Sequence, residues 1–351
     1  MIQLDCERLR APFNGFYTYT LQLALALVEE SRQRNEPLKI YCPSMASGIF
    51  PDDVEKQFWH HTDKYLMPLS RNIHLYHCTN QLSRYIPRSF RVPVVQTVHD
   101  LNYRHLTNVT DKFSIKTTKA VRNASHIIAI SNFVKEDIVD CFGYDPDRID
   151  VIYNGVSFYS GPVTPPDNLP NRPFILFVGR IDTSKNVQII PSLLEGNDYD
   201  LIYVGKIGKD ASAVTLVKEE AARWGVSDRI FFTDAVSEAL KHWYLRNCAA
   251  FIFPSLAEGF GLPVLEALQY GKPVFCSDRT SLPEVGGDFV YYLNHDFEPR
   301  AMQEEFRKGM DAFAAKPFDK KGLEAHLDKY SWKNAARKYY DVYEKVLAAN
   351  A

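Results

Sequence analysis

Short apolar runs rich in β-branched and aromatic residues alternate with helical patterns along most of the chain, in two series parted by one proline-rich segment. The first series is MIQL (1–4), LKIYC (38–42), IHLYH (73–77), VPVVQTVH (92–99), HIIAIS (126–131) and RIDVIYN (148–154). The second is FILFVG (174–179), LIYVG (201–205), RIFFT (229–233), AAFIF (249–253), PVFC (273–276) and FVYYL (289–293). Between them, Tyr17, Leu21, Ala24, Leu25 and Val28 fall on one helical face, and helices are predicted over 132–142, 211–224, 236–247 and 332–347. Strands that alternate with helices build parallel sheets covered on both faces. The predicted fold class is therefore α/β, with two Rossmann-like, doubly wound parallel-sheet domains facing across a cleft. The segment SGPVTPPDNLPNRP (160–173) has no periodicity, and its prolines stiffen an extended connector. It sets the predicted boundary between a first domain, 1–159, and a second, 174–331.

A chain of 351 residues is too long for one typical core, which agrees with two domains. Its net charge of −2 gives no electrostatic basis for binding nucleic acid. The six cysteines are scattered without a C-x-x-C pair and read as buried small hydrophobes rather than disulfides or zinc ligands. No signal peptide opens the sequence and no apolar run approaches the length of a membrane span, so a cytoplasmic chain is expected. Attachment to the cytoplasmic membrane face stays open.

Open α/β sheets bind ligands beyond the carboxyl ends of their strands. The polar residues at those ends are His99 and Asp100, Ser131, Asn154, Gly179 and Arg180, Gly205 and Glu258. One stretch stands out, EGFGLPVLEAL (258–268). Gly259 and Gly261 allow a sharp turn after a strand, and a helix is predicted from Leu262 with Pro263 in its first turn. Free backbone N–H groups at such a turn favour an anion, usually phosphate. Glu258 and Glu266 frame the turn and suit sugar hydroxyls better than an anion. Arg180 and Lys185, in FVGRIDTSKN (177–186), occupy one strand-to-helix loop, where both cations can reach the same ligand. Taken singly, each of these also reads as an ordinary loop with a capping or solvated charge. In TVHDLNY (97–103), His99 and Asp100 point to opposite sides of an extended chain and do not form one relay. Gly15 falls where a strand-to-helix loop would use conformational freedom. Asp145 and Asp147 have a D-x-D spacing, but Asp and Pro between a helix and a strand make turns. No G-x-G-x-x-G, P-loop, nucleophile elbow or H-E-x-x-H occurs in the required context.

HIIAISNFVKEDIV, IDVIYNGV, FILFVGRIDTSKN, FIFPSLAEGFGLPVLEAL and SLPEVGGD, in that order, resemble the retaining GT-B glycosyltransferases of family 4 over essentially the whole chain. The resemblance implies that Glu258 hydrogen-bonds the donor sugar and Glu266 the ribose. It implies that Arg180 and Lys185 hold the diphosphate, with Gly179 among the donor-binding residues. Gly259, Phe260, Gly261 and Leu262 form the turn whose backbone N–H groups address sugar and phosphate. His99 approaches the sugar, Gly15 borders the diphosphate and acceptor, and the stretch around Val236 borders the base. The wording of V-H-D and SLPEVGGD is most similar to mannosyl-transferring members in surface polysaccharide assembly. The implied co-substrate is a nucleotide sugar, GDP-mannose in preference to a UDP-sugar, without a permanently bound cofactor or a metal. The implied partner is a glycan or lipid-linked saccharide acceptor, in a front-face reaction that retains anomeric configuration. In this fold the last helix, about 332–351, can pack back onto the first domain. Two departures stand out: the loop APFNGFY has one glycine where many relatives have a richer turn, and Ser157 follows IYNGV where Asp is common. A nucleotide-sugar epimerase and a non-catalytic nucleotide-sugar binder are the competing readings.

Overall fold

A computed structural model describes residues 1–11, 15–65, 67, 69–87, 92–106, 111–208, 212–294 and 296–350. The chain divides into two compact units, Met1–Ser157 with Tyr330–Ala351, and Phe158–Lys329. The first unit contains β1 (Ile2–Asp5), α1 (Gly15–Arg34), β2 (Leu38–Cys42), β3 (Glu55–Phe58), β4 (Leu75–Cys78) and β5 (Val94–Val98). It continues with α2 (Asp111–Asn123), β6 (His126–Ala129), α3 (Asn132–Phe142) and β7 (Ile149–Val151). The second unit contains β8 (Phe174–Val178), β9 (Asp200–Val204), α4 (Ser212–Arg223), β10 (Ile230–Phe232), α5 (Glu238–Asn247) and β11 (Ala250–Phe253). After these come α6 (Leu262–Leu268), β12 (Val274–Ser277), α7 (Leu282–Gly286), β13 (Tyr291–Leu293), α8 (Pro299–Ala315) and α9 (Lys320–Asp328). The chain then returns to the first unit with α10 (Trp332–Ala349).

Among the described residues each unit holds one wholly parallel sheet, in the order β3-β2-β1-β4-β5-β6-β7 in the first and β10-β9-β8-β11-β12-β13 in the second. The direction of winding reverses between β1 and β4 in the first sheet and between β8 and β11 in the second. These are the two points where an open parallel sheet leaves a crevice beyond its strand ends. The central strands are buried on both faces, which is why they read as continuous apolar runs. β3 is the exception. Its sequence EKQF is exposed or half-buried at a sheet edge, so no apolar run announces it.

α10 lies against α1 and the first sheet through Ala335, Ala336, Tyr339, Tyr340, Val342, Tyr343 and Val346, all buried. The Tyr343 hydroxyl sits 2.6 Å from His77 Nδ1 on β4, and the Tyr339 hydroxyl 2.7 Å from that of Tyr19 on α1. The buried rings of Tyr339 and Tyr343 each contribute about 1.5–3 kcal/mol of burial energy, and their hydroxyl partners offset the cost of burying those two polar atoms. The proline-rich stretch has no regular element. Within the second unit its Thr164 N–H donates to the Ala239 carbonyl at 3.3 Å, and the ring of Tyr159, just before it, stacks on His242 at 4.3 Å. Five cysteines are buried as small hydrophobes, but Cys141 is exposed near the end of α3, against the sequence expectation. No described helix is long and apolar enough to cross a membrane.

Candidate functional site

The reversal between β8 and β11 puts two loops side by side. The first follows β8 and runs through Gly179, Arg180 and Ile181 into a short 3-10 turn, Thr183–Lys185. Asp182 caps that turn by accepting the Ser184 N–H at 3.0 Å, and its other oxygen takes the Arg180 guanidinium. Burial pushes the Asp182 carboxyl up, but the Ser184 hydrogen bond and the charges of Arg180 and Lys185 outweigh it and hold it below its usual value. Arg180 itself is two-thirds exposed, with the side chain at 65%.

The second loop follows β11. Leu256 N–H donates to the Ser184 carbonyl at 3.0 Å and so ties it to the first. Lys185 Nζ then reaches Glu258 Oε1 at 2.6 Å, with side chains only 18% and 14% exposed. Lys185 is therefore held in place, not the mobile point charge that a loop lysine suggests. The glycine turn is braced from the loop after β12. Glu258 N–H donates to Thr280 Oγ1 at 3.0 Å, and Ser281 Oγ lies 2.9 Å from the Glu258 carbonyl and 3.0 Å from that of Phe260. Gly261 has φ +103°, and a Cβ there would sit 2.5 Å from Leu282 Cδ2. Conformation and space both demand glycine. The motif SLPEVGGD thus has a local task, since its first residue, Ser281, supports the turn that begins at Glu258 and its second, Leu282, packs against Gly261.

α6, from Leu262, is only seven residues long, so its dipole is small and the backbone groups of the turn matter more. Glu266 lies one turn inside it, where Oε1 accepts from Lys241 Nζ of α5 at 3.2 Å. Lys241 also pairs with Glu238 at 2.9 Å. Burial lowers the Lys241 pKa, but Glu266 and Glu238 outweigh it and keep the ammonium charged. His242, whose Nε2 lies 3.6 Å from Glu238 Oε2, and then Lys241 hold Glu238 down at about 2. Val236 is half-buried in the loop before α5; the helix begins two residues later than predicted because Ser237 caps it. At the ends of β8 and β9, a Cβ on Gly205 would fall 2.1 Å from the Gly179 carbonyl oxygen, so the close approach of the two backbones requires glycine at 205. Lys241 and Thr280 had no sequence signal, and Ser281 had one only as the first residue of SLPEVGGD: each acts on a partner more than 20 residues away, and only the sheet order brings them together.

In the first unit His99 follows β5 and is 6% exposed. Its Nε2 lies 2.8 Å from the Thr79 carbonyl, which can only accept, so Nε2 carries the proton and Nδ1 is bare. Burial lowers its pKa to about 4, leaving a neutral ring held edge-on by Tyr19 at 4.3 Å and Phe16 at 4.9 Å. Asp100 accepts the Asn102 N–H at 3.3 Å and caps the next turn, so the two neighbours do separate tasks. Gly15 opens α1, is exposed, and has neither a positive φ nor a described atom within 4 Å of an added Cβ; its freedom is not used. Pro12, Phe13 and Asn14 of the same loop lie outside the described residues. Ser131 caps α3 and Asn154 is buried. Asp145 accepts the Asp147 N–H at 3.0 Å, the turn its spacing suggested, and among the described residues no group of three or more His, Cys, Asp or Glu could hold a metal ion.

Comparison with known proteins agrees with this layout. The family described as Glycosyl transferases group 1 matches residues 165–331, and Glycosyltransferase Family 4 matches 18–158. An O-antigen chain mannosyltransferase B from Escherichia coli is 28% identical over 61% of this chain and 60% of its own length. An alpha-maltose-1-phosphate synthase from Mycolicibacterium smegmatis is 26% identical over 65% of each. The chain thus spans about three-fifths to two-thirds of the length of these curated relatives. A solved sucrose-phosphate synthase from Thermosynechococcus elongatus shares the fold with a TM-score of 0.75, 19% identity and 99% coverage of both chains. Two facing loops at the sheet reversal, a braced glycine turn and family matches across both units lead to one assignment: the chain belongs to the GT-B-fold glycosyltransferase superfamily.

Proposed function

We propose that the chain is a retaining glycosyltransferase that moves a hexose from a nucleotide-diphosphate sugar to a glycan or lipid-linked saccharide acceptor. The observation that carries this is the set of opposite charges at the β8–β11 reversal, with Lys185 on Glu258 and Arg180 beside them. Glu258 pairs with Lys185 across the two loops. A donor diphosphate offers Lys185 a stronger partner, and the released Glu258 carboxylate is then free to accept from sugar hydroxyls. Glu266, oriented by Lys241, accepts from the ribose.

Breaking the anomeric bond leaves an oxocarbenium-like sugar and a more negative diphosphate. Cations held in place before reaction stabilise that added charge more than they stabilise the ground state, which lowers the barrier. Beside Glu258 the sequence offers no second carboxylate suited as a nucleophile on the far face. The proposed course is front-face, with the leaving phosphate helping to deprotonate the acceptor. Mannose is favoured because the V-H-D and SLPEVGGD wording resembles mannosyl-transferring members, and because one relative is an O-antigen mannosyltransferase. Surface polysaccharide assembly on the cytoplasmic side of the membrane fits the same reading.

The test is nucleotide release by the purified chain from GDP-mannose, UDP-glucose and UDP-N-acetylglucosamine, with thermal shift recorded for each. Release with GDP-mannose supports the proposal in full. Release with a UDP-sugar alone overturns mannose. Tight binding without release across a panel of acceptors overturns transfer in favour of a binder.

A further inference from the structure

The winding of the first sheet also reverses, between β1 and β4, and a second charged cluster sits beyond those strand ends. Asp5 ends β1 and Glu7–Arg10 form the 3-10 turn that follows; Asn80 and Ser83 lie after β4. Both acids are occupied within the protein. Asp5, fully buried, accepts from Glu7 N–H at 2.9 Å and from the Ser83 hydroxyl at 2.5 Å. Glu7, 1% exposed, accepts from Arg84 N–H at 3.3 Å and pairs with Arg10 at 3.0 Å.

The cations are not occupied in the same way. Among the described residues no carboxylate lies within ion-pairing distance of the Arg8, Arg84 or Lys116 side chains. Arg8 lies over the Phe16 ring at 4.9 Å and gives one N–H to Asn80 Oδ1 at 2.9 Å. Among the described residues its Nε is buried without an acceptor, and so is Nδ2 of Asn80, a residue with no exposure at all. Unmet donors in the protein interior are costly, and persist where something else supplies the acceptor. The like charges also act on one another. Partial burial, then Arg84 and Arg8, hold the Lys116 ammonium below its usual pKa. Burial, then Glu7, pushes the Asp5 carboxyl up to about 7, so near neutrality it is only partly ionised and offsets only part of that positive charge.

We infer that Arg8, Arg84 and Lys116, with the Asn80 amide, form an oxyanion subsite beyond the ends of β1 and β4 that holds a carboxylate or phosphate carried by the acceptor sugar. The glycosyl-transfer reading enters only in calling that ligand the acceptor; the unmet donors and the surplus of cations stand without it. The subsite belongs to the first unit and is distinct from the residues assigned to the donor in the second.

Isothermal titration calorimetry of the full chain with three sugars tests this: methyl α-mannoside, methyl β-glucuronoside and glucose 6-phosphate. The two anionic sugars bind at least about tenfold more tightly than the neutral one, as one charge-assisted contact would give. Whichever binds more tightly identifies carboxylate or phosphate as the group recognised. Arg8→Gln removes the advantage and Lys116→Gln, at a solvent-facing position where folding is not at risk, reduces it severalfold, while Arg180→Gln leaves it intact. Equal binding of charged and neutral sugars overturns the inference, as does no binding by either anion. An advantage lost in Arg180→Gln but kept in Arg8→Gln and Lys116→Gln also overturns it, because the anion then sits in the donor residues. Nucleotide release from a donor is a separate measurement, so failure here leaves the transferase reading to its own test.

Discussion

Lys185 Nζ lies 2.6 Å from Glu258 Oε1, joining the loops that follow β8 and β11 across 73 residues of sequence. Both side chains are mostly buried, so each is the other's main compensation for lost hydration. Removing either one leaves a poorly solvated charge. Lys185→Ala and Glu258→Ala should each destabilise the second unit by about 2–4 kcal/mol, and the double variant by clearly less than the sum. Urea unfolding in a double-mutant cycle measures this, and additive losses would show that the contact carries no coupling.

Glu266 and Lys241 should behave as one unit toward nucleotide. Loss of a charge-assisted hydrogen bond predicts that Glu266→Ala weakens binding of the free nucleoside diphosphate by about 10- to 100-fold. Lys241→Ala should cause a smaller loss, since it orients Glu266 without touching the ligand. Unchanged affinity in Glu266→Ala, read by calorimetry, would remove the ribose role.

Gly261 faces two separate demands, a φ of +103° and the Leu282 side chain 2.5 Å from where a Cβ would lie. Gly261→Ala should cost roughly 1–2 kcal/mol for the backbone alone and more for the collision. Adding Leu282→Ala relieves the collision but not the backbone strain, so the double variant should recover part of the collision cost. Thermal unfolding at equal concentration decides it; a fully additive double variant would mean the collision is not felt.

Two buried groups of the first unit should impose opposite pH dependences. Burial lowers His77 to about 3, beside the Tyr343 and Thr97 hydroxyls. Below the ordinary histidine value the unfolded chain takes up a proton that the folded chain refuses, so this contribution is present above about pH 6.5 and is lost as pH falls toward 3. Asp5 is raised, so its contribution is present below the usual carboxylate value near 4 and is lost as pH rises through about 7. Denaturation from pH 4 to 8 should show a flatter acid limb in His77→Gln and a flatter decline toward neutrality in Asp5→Asn. Parallel profiles for the variants and the parent would contradict both assignments.

The α/β class was readable because strands buried on both faces write themselves as continuous apolar runs, as in FILFV and AFIF. β3 was not readable, since an edge strand spelled EKQF has no apolar face to show. Boundaries moved by a residue or two where a cap decided them, as Ser237 does for α5. Arg180 and Glu258 could be named as strand-end residues, and Lys185 as a cation of the same loop as Arg180, from local order alone. That Lys185 meets Glu258, or that Lys241 meets Glu266, depends on β8 lying beside β11 and α5 beside α6, and no local spacing encodes that. The cluster around Asp5 and Arg8 was hidden for the same reason, because ERLR alone is an ordinary polar turn.

The proposal that fixed cations stabilise a departing diphosphate is tested most directly by the turnover of Arg180→Ala and Lys185→Ala with the donor and acceptor that the parent chain uses. Each variant should keep its fold by circular dichroism and lose about 10²- to 10³-fold in kcat, the usual cost of removing one preorganised group facing transition-state charge. Rates close to the parent's in both variants would contradict it.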